Sequence, residues 1–414
     1  MSKQSKHGVV ADPNFIKPTA QTPTVEKYVP VYTAEQLLID GDKNTYLAFP
    51  TTLKLSDDTV LIAYKESTAH KDAKADLDMI VYNPATKQVV RKTTIDATAG
   101  EAAQDPELIR MPNGDLVIYL DVQRVTGNGQ QRYGIKELRS VDNGVTWSVL
   151  SADGTYQSTT QVEKHGYRVL RDDRGITYGY AFDAVNVDGT VYMLAMSFPE
   201  FALDPGRSVH VIKSCDNGTT WTHVKNLTAM LGIAVNESTL TICDGGFIIH
   251  SRRDPDGGTR GVSFRTDREF NLLAREEYLN EEALIRTTHR PKLFVENVRY
   301  YLMGRNVLPD ATSLGLYEID PITLAPLNYV ELKKLSDRGI GESFYAEYYL
   351  QQENGRSYFN VITYEDSRHK GHPDIVRYEY AWEELLSRGS AAPKAADDTD
   401  TKIREPIPFR TRTF

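Results

Sequence analysis

Four stretches of the 414-residue chain gather side chains that can move protons, attack carbon or hold anions. The loop YKESTAHKDAKADLD, Tyr64 to Asp78, carries His70, Asp72 and Asp76. An imidazole can serve as a proton donor or acceptor in catalysis, which makes His70 a candidate for proton transfer. NESTLTICDGGFIIHSRR, Asn236 to Arg253, sets Glu237 before and Arg252 after a pair of strand candidates. HRPKLFVENVRYYLMGRN, His289 to Asn306, puts Arg290 and Arg305 at strand ends. GESFYAEYYLQQENGRSYFNVITYED, Gly341 to Asp366, holds Ser343, Tyr345, Glu347 and the pair Tyr364-Glu365. A planar guanidinium grips a carboxylate bidentately, and a phenol, with an ordinary pKa of about 10, attacks only when a base takes its proton. Arg290 and Arg305 could equally make surface salt bridges. A weaker fifth stretch, HGYRVLRDDRGITYGYAF, offers His165, Tyr167 and Arg168 before a strand candidate.

Other chemistries lack their signatures. Cysteines and histidines do not cluster at ligand spacing and no calcium loop is present, so no metal or other cofactor is expected. GNGQ and DPDGG read as turns rather than phosphate cradles. A net charge of -9 argues against nucleic acid and anionic membranes as partners, although a local basic pocket is compatible with it. The two cysteines, Cys215 and Cys243, read as buried free thiols. MSKQSKHGVVADPNF lacks the apolar core of a secretory signal and no apolar run is long enough to span a bilayer, so a cytoplasmic protein is expected.

The elements that must position these groups are strands. TVLIAYK, DLVIYLDV, TVYMLAMSF, FIIHSRR, RYYLMGR and SYFNVITYE are divided by Gly, Asn and Asp turns such as MPNGD, NVDGT and QENGR. Short strands with frequent turns make an all-β chain, and YAWEELLSR near Tyr380 is the one convincing short helix. Residues 1–40 read as a surface arm, 41–388 as the folded domain, and 389–414 as a flexible tail whose aromatic, basic end could dock on a second copy in a homo-oligomer.

One pattern recurs nearly intact: SVDNGVTW from Ser140 to Trp147 and SCDNGTTW from Ser214 to Trp221. In S-x-D-x-G-x-T-W the aspartate accepts from its own turn, glycine supplies a positive φ, and the tryptophan covers apolar surface. Related strand-turn-strand units begin near Asp78, Ser263, Ser313 and Asp374, and their spacing suits four-stranded blades. Six units imply a six-bladed β-propeller, with seven blades as the alternative. The repeat resembles the Asp box of sialidases and related propellers, in which the box is structural and lies on outer turns away from the active face. That resemblance implies that Asp142 and Asp216 stand apart from a mouth shared by Glu237, Arg252 and Tyr345.

By the same resemblance, Tyr345 would be the nucleophile, Glu237 its base, and Arg252 a clamp on a substrate carboxylate, with Arg290 or Arg305 as a further member. Arg168 and His165 are weaker candidates for substrate binding. The loop of residues 70–78 corresponds to the family loop with the acid/base aspartate; Asp72 fits best, Asp76 is the fallback, and His70 could take over the proton transfer. The first blade departs from the family. Where sialidases carry Tyr-Arg-Ile-Pro, this chain reads Tyr46-Leu47-Ala48-Phe49-Pro50, so the first clamp arginine is Ala48. The expectation is an exo-acting glycoside hydrolase of sialidase-like fold on a terminal acidic sugar of a glycan. Its alternatives are a lyase or unusual hydrolase on uronic-acid glycans, and a non-catalytic carbohydrate-binding propeller.

Overall fold

The computed structural model describes residues 31 to 391 except 127–128, 162, 200–206, 255–260, 279–288, 308–311, 336–342, 369–370 and 389. Its strands form six antiparallel sheets arranged as the six blades of a β-propeller. Blades 1 to 5 follow the chain, over 46–96, 102–158, 178–226, 235–277 and 289–335, and blade 6 is built from 346–381. The inner strands are Tyr46–Lys54, Ala102–Arg110, Tyr178–Val187, Val235–Cys243, His289–Glu296 and Ala346–Glu353. Each contacts the next around a closed ring, because blade 6 returns to blade 1.

The alternation along each strand explains the ring. In Val60–Ser67, Leu61 and Ala63 pack toward blade 2, while Val60, Ile62 and Tyr64 pack toward blade 6. A strand buried on both faces reads as a continuous apolar run, and each run here feeds two interfaces at once. Among the described residues six apolar clusters result, one between each pair of neighbouring blades.

The repeat units read from the sequence all begin in the third strand of a blade: Asp78, Ser140, Ser214, Ser263, Ser313 and Asp374. Six blades, not seven, follow from that regularity. Blade 6 carries the short helix expected near Tyr380, Trp382–Ser387, after its third strand, where a fourth strand of a strand-turn-strand unit would otherwise follow. Its outer strand is Ala34–Ile39, paired antiparallel with Asp374–Ala381, so both ends of the domain meet in one sheet. The expected boundary at residue 40 therefore moves: 34–39 belong to the propeller, where they cover an edge that would otherwise be open. Ser390–Ala391 likewise pair with the outer strand of blade 5. The arm before residue 31 and the tail beyond 391, with its suggested docking role, lie outside the described residues. Among the described residues no helix is long and apolar enough to cross a membrane.

The two repeated turns staple neighbouring blades. Asp142 Oδ1 accepts from Thr146 N at 2.9 Å and its Oδ2 from Thr146 Oγ1 at 2.6 Å; Asp216 holds Thr220 in the same way at 2.9 and 2.7 Å. Asn143, Gly144, Asn217 and Gly218 all have positive φ. A Cβ on Gly144 would sit 2.6 Å from Leu61 of blade 1, so that glycine is fixed by packing as well as by φ. Its carbonyl accepts from Arg91 of blade 1 at 2.7 Å, and the carbonyl of Asn217 accepts from Arg139 of blade 2 at the same distance. Cys243 is buried as expected, but Cys215 is exposed, because the residue after the serine lies on the open side of the turn.

Trp147 and Trp221 are 6 % and 4 % exposed and enter the interfaces between blades 1 and 2 and between blades 2 and 3. Trp147→Ala and Trp221→Ala are each expected to destabilise the fold by about 3 to 5 kcal/mol. Denaturant unfolding checks this, and an unchanged midpoint for both would remove the rings from the core.

Candidate active site

Inner strands run away from one end of the channel, second strands return to it, and third strands run away again. The S-x-D-x-G-x-T-W turns, after the third strands, therefore lie at the opposite end from the residues that open the inner strands. At that first end is a cavity of roughly 210 Å3.

Its walls are made by irregularities in the inner strands. Pairing register shifts between Ala48 and Thr51, Gln104 and Glu107, Ala181 and Asp183, Val235 and Ser238, and His289 and Lys292. A bulge inserts a residue into the ladder and re-aims its side chain. Phe49, Asp105, Phe182, Glu237 and Arg290, which fall within these shifts, all line the cavity. Phe49, Asp105 and Arg290 have positive φ, and each precedes a proline that cannot donate to the ladder.

Tyr345, Glu237 and Arg252 come together in this cavity. Tyr345 Oη donates to Glu237 Oε1 at 2.7 Å. Glu237 Oε2 accepts from Arg252 Nη1 at 3.0 Å and from the backbone N–H of Arg290 at 2.9 Å. Burial disfavours charge on Glu237, but Arg252, then His289, the Tyr345 hydroxyl and the Arg290 amide outweigh it and hold the carboxyl down at about 2. Burial and the anionic Glu237 push the Tyr345 phenol well above its ordinary value. In the resting site the phenol is protonated and its acceptor is charged.

His289 bridges two guanidinium groups, with Arg252 Nη1 at 2.8 Å and Arg305 Nη2 at 3.0 Å from its Nδ1. Burial, and then Arg305, lower its pKa to about 3, so the ring is neutral and Nδ1 accepts from both arginines. Arg305 also lies over the Tyr345 ring at 4.9 Å and donates to Ser343 O at 3.2 Å. Arg290 turns its guanidinium to Glu107 Oε2 at 3.1 Å. Below it, Lys292 Nζ contacts Glu107, Asp183 and Glu347 at 3.1, 3.4 and 2.7 Å, so a buried ionic cluster fills the channel beneath the cavity. Glu347 belongs to this cluster and not to the cavity wall.

The stretch from Tyr64 to Asp78 contributes one of its three candidates. His70 lines the cavity, with Nδ1 3.0 Å from Tyr46 Oη and its ring edge-on to Phe49 at 5.5 Å. Asp72 does not reach the cavity; its carboxylate accepts from the Thr68 amide at 2.9 Å and the Thr68 hydroxyl, capping its own loop. Asp76 opens the third strand of blade 1 and pairs with Lys74 at 3.3 Å, also away from the cavity. Arg168 and His165 do not line the cavity either. They lie on the excursion between blades 2 and 3, before the inner strand begins at Tyr178. His165 contacts Glu101 at 3.1 Å and packs on Tyr133, and Arg168 borders a small depression elsewhere. Ala48 is buried between blades 6 and 1, and its neighbour Phe49 faces the cavity instead.

The carboxyl that sequence reasoning missed is Asp105. It lines the cavity, is 8 % exposed, and its side chain makes no hydrogen bond among the described residues. Burial raises its pKa, with Arg290 opposing. The signal was present in the chain: three inner strands carry a residue before proline at the bulge, as Phe49-Pro50, Asp105-Pro106 and Arg290-Pro291.

No protein-family model matches the chain, and a search of curated proteins gives no significant match. Solved structures do match. A protein of unknown function from Dyadobacter fermentans superposes with a TM-score of 0.63 at 15% identity, covering 85% of this chain and 99% of that one. A variant of the NanB sialidase of Streptococcus pneumoniae gives 0.56 at 10% identity, covering 87% and 72%. The α-L-arabinofuranosidase Arb93A of Fusarium graminearum gives 0.55 at 10% identity, covering 86% and 99%. At such identities the likeness is one of fold: a propeller shared with glycoside hydrolases.

Proposed function

We propose that the protein is an exo-acting, retaining glycosidase that removes a terminal acidic sugar from a glycan. The observation that carries this reading is the 2.7 Å contact from Tyr345 to a Glu237 whose other oxygen is held by Arg252. Tyr345 Oη attacks the anomeric carbon as its proton passes to Glu237 Oε1. The bond to the leaving oxygen breaks, and Asp105 supplies that oxygen with a proton. Water then attacks the glycosyl-tyrosine, giving a proton back to Asp105, while Glu237 returns its proton to Tyr345. Two displacements retain the anomeric configuration. Arg252 holds Glu237 in place, and the raised pKa of Asp105 suits a proton donor. The small cavity, closed below by the Lys292 cluster, fits removal of one residue from a chain end.

The contact between Tyr46 and His70 favours a second reading, a lyase that takes the proton from C5 of a uronate and expels the oxygen at C4, leaving a double bond. A panel of chromogenic glycosides and acidic polysaccharides, read for reducing ends and for ultraviolet-absorbing unsaturated products, tests both. Release of free sugar without unsaturation is expected, unsaturated products alone would establish the lyase, and no turnover of any glycan would leave neither reading standing.

A further inference from the structure

Three arginines on the side of the cavity that holds Glu237 and Tyr345 are engaged within the protein: Arg252 by Glu237 and His289, Arg290 by Glu107, and Arg305 by His289 and Ser343. The cavity has a second cationic wall. In a ring of six, blade 3 stands across from blade 6, and the wall is built there and on adjoining blade 2. Arg132 lies 4.2 Å from the ring centres of both Tyr180 and Phe198, and Arg207 lies 5.6 Å from Phe198. Arg132 is paired with Asp121 at 2.8 Å, whereas Arg207 is exposed and has no ion pair among the described residues. The same wall holds two amides with unanswered atoms: Gln104 Nε2 and Gln123 Oε1 are buried without a hydrogen-bond partner, in side chains 3 % and 1 % exposed. Buried amide atoms left unpaired beside a cavity are atoms a ligand can satisfy.

We propose that this wall binds an anionic substituent carried away from the anomeric carbon, so that the sugar taken is a uronosyl or a sulfated residue and not a 2-keto acid. The geometry follows from the ring. With the anomeric carbon at Tyr345, a carboxylate on that same carbon would face arginines already paired with Glu237, His289, Glu107 and the Ser343 carbonyl. A group on the far side of the sugar faces Arg207, whose planar fork suits carboxylate and sulfate oxygens alike, with Arg132 held behind it by Asp121. The amide pair adds a donor and an acceptor for neighbouring hydroxyls. The acidic-sugar part of the function proposed above is thereby made specific, and this inference rests on that reading for the position of the anomeric carbon.

Calorimetry on the full-length Tyr345→Phe variant tests it without depending on turnover. The probes are both anomers of methyl glucuronide, methyl glucoside and methyl glucoside 6-sulfate, and a methyl sialoside. The glucuronide or the sulfate should bind at least about tenfold more tightly than the neutral glucoside, and which of the two leads identifies the anion. Adding Arg207→Ala should reduce that anionic-to-neutral ratio about tenfold, and Arg207→Lys should restore part of it. Equal binding of neutral and anionic probes, a preference for the sialoside that ignores Arg207→Ala, or no binding of any anionic probe at millimolar concentration would overturn the inference. Arg207-dependent uronate binding by a protein that turns over no glycoside would sink the proposed mechanism and leave this site standing.

Discussion

Tyr345→Phe is expected to lower turnover of the best substrate by about 10^3-fold or more while leaving ligand binding nearly unchanged. The substitution removes one oxygen, the reacting one, from a ring that keeps its packing against Phe49 at 5.4 Å and Tyr364 at 6.0 Å. Glu237→Gln should lose a similar factor, because an amide cannot take the proton that leaves the phenol. The double variant should be little worse than either single one, since groups acting as one unit are not additive. Steady-state kinetics with a calorimetric binding control decide the matter. Full activity of Tyr345→Phe on a substrate of the wild type would end the tyrosine mechanism and make His70, which shares the cavity, the residue to test. With its pKa near 2, Glu237 remains charged across ordinary pH, so it sets no acid limb in the profile of the free enzyme.

Asp105→Asn is the second large effect, expected at about 10^2- to 10^4-fold in kcat/KM for a glycoside with a poor leaving group and much less for an activated aryl glycoside. The proton donor acts in its acid form, and its pKa is raised by burial. In the wild type, kcat/KM should therefore fall as pH rises through a value above the usual carboxylate range, and the variant should lose that limb. A variant that keeps both the limb and the rate would exclude Asp105 as donor. Stability should move the other way. A carboxyl whose folded pKa is raised contributes stability below its unfolded pKa and loses it as pH climbs through the folded one. Asp105→Asn should thus raise the melting temperature at neutral pH, by about 1 to 3 °C, with the gain vanishing in acid. A cavity residue that limits stability in this way fits the common trade between stability and activity.

Much of the fold was legible because its signals are short. A turn needs aspartate and glycine within a few residues, as at Asp142-Gly144 and Asp216-Gly218, and a doubly buried strand shows as an apolar run. Repeating those signals six times pointed to six blades with seven as the alternative, and the six sheets, each with one unit beginning in its third strand, decided the count. The Tyr345 and Glu237 pair could be named because both stand in motifs that resemble sialidase stretches, although 108 residues separate them.

The amino-acid sequence by itself determined the strands and their turns, because backbone preference and side-chain alternation act over a few neighbouring residues. Tertiary structure alone decided which side chains look into the cavity. That choice was made at bulges, where one inserted residue turns Phe49 inward in place of Ala48 and brings Asp105 to the wall. It also decided that His70 and not Asp72 enters, since Asp72 finds its hydrogen bonds within its own loop. Closure of blade 6 by Ala34–Ile39 was equally invisible, because the strand it pairs with comes more than three hundred residues later. A cavity lined by residues from all around the ring depends on where the blades bring them, and no window of sequence contains that distance.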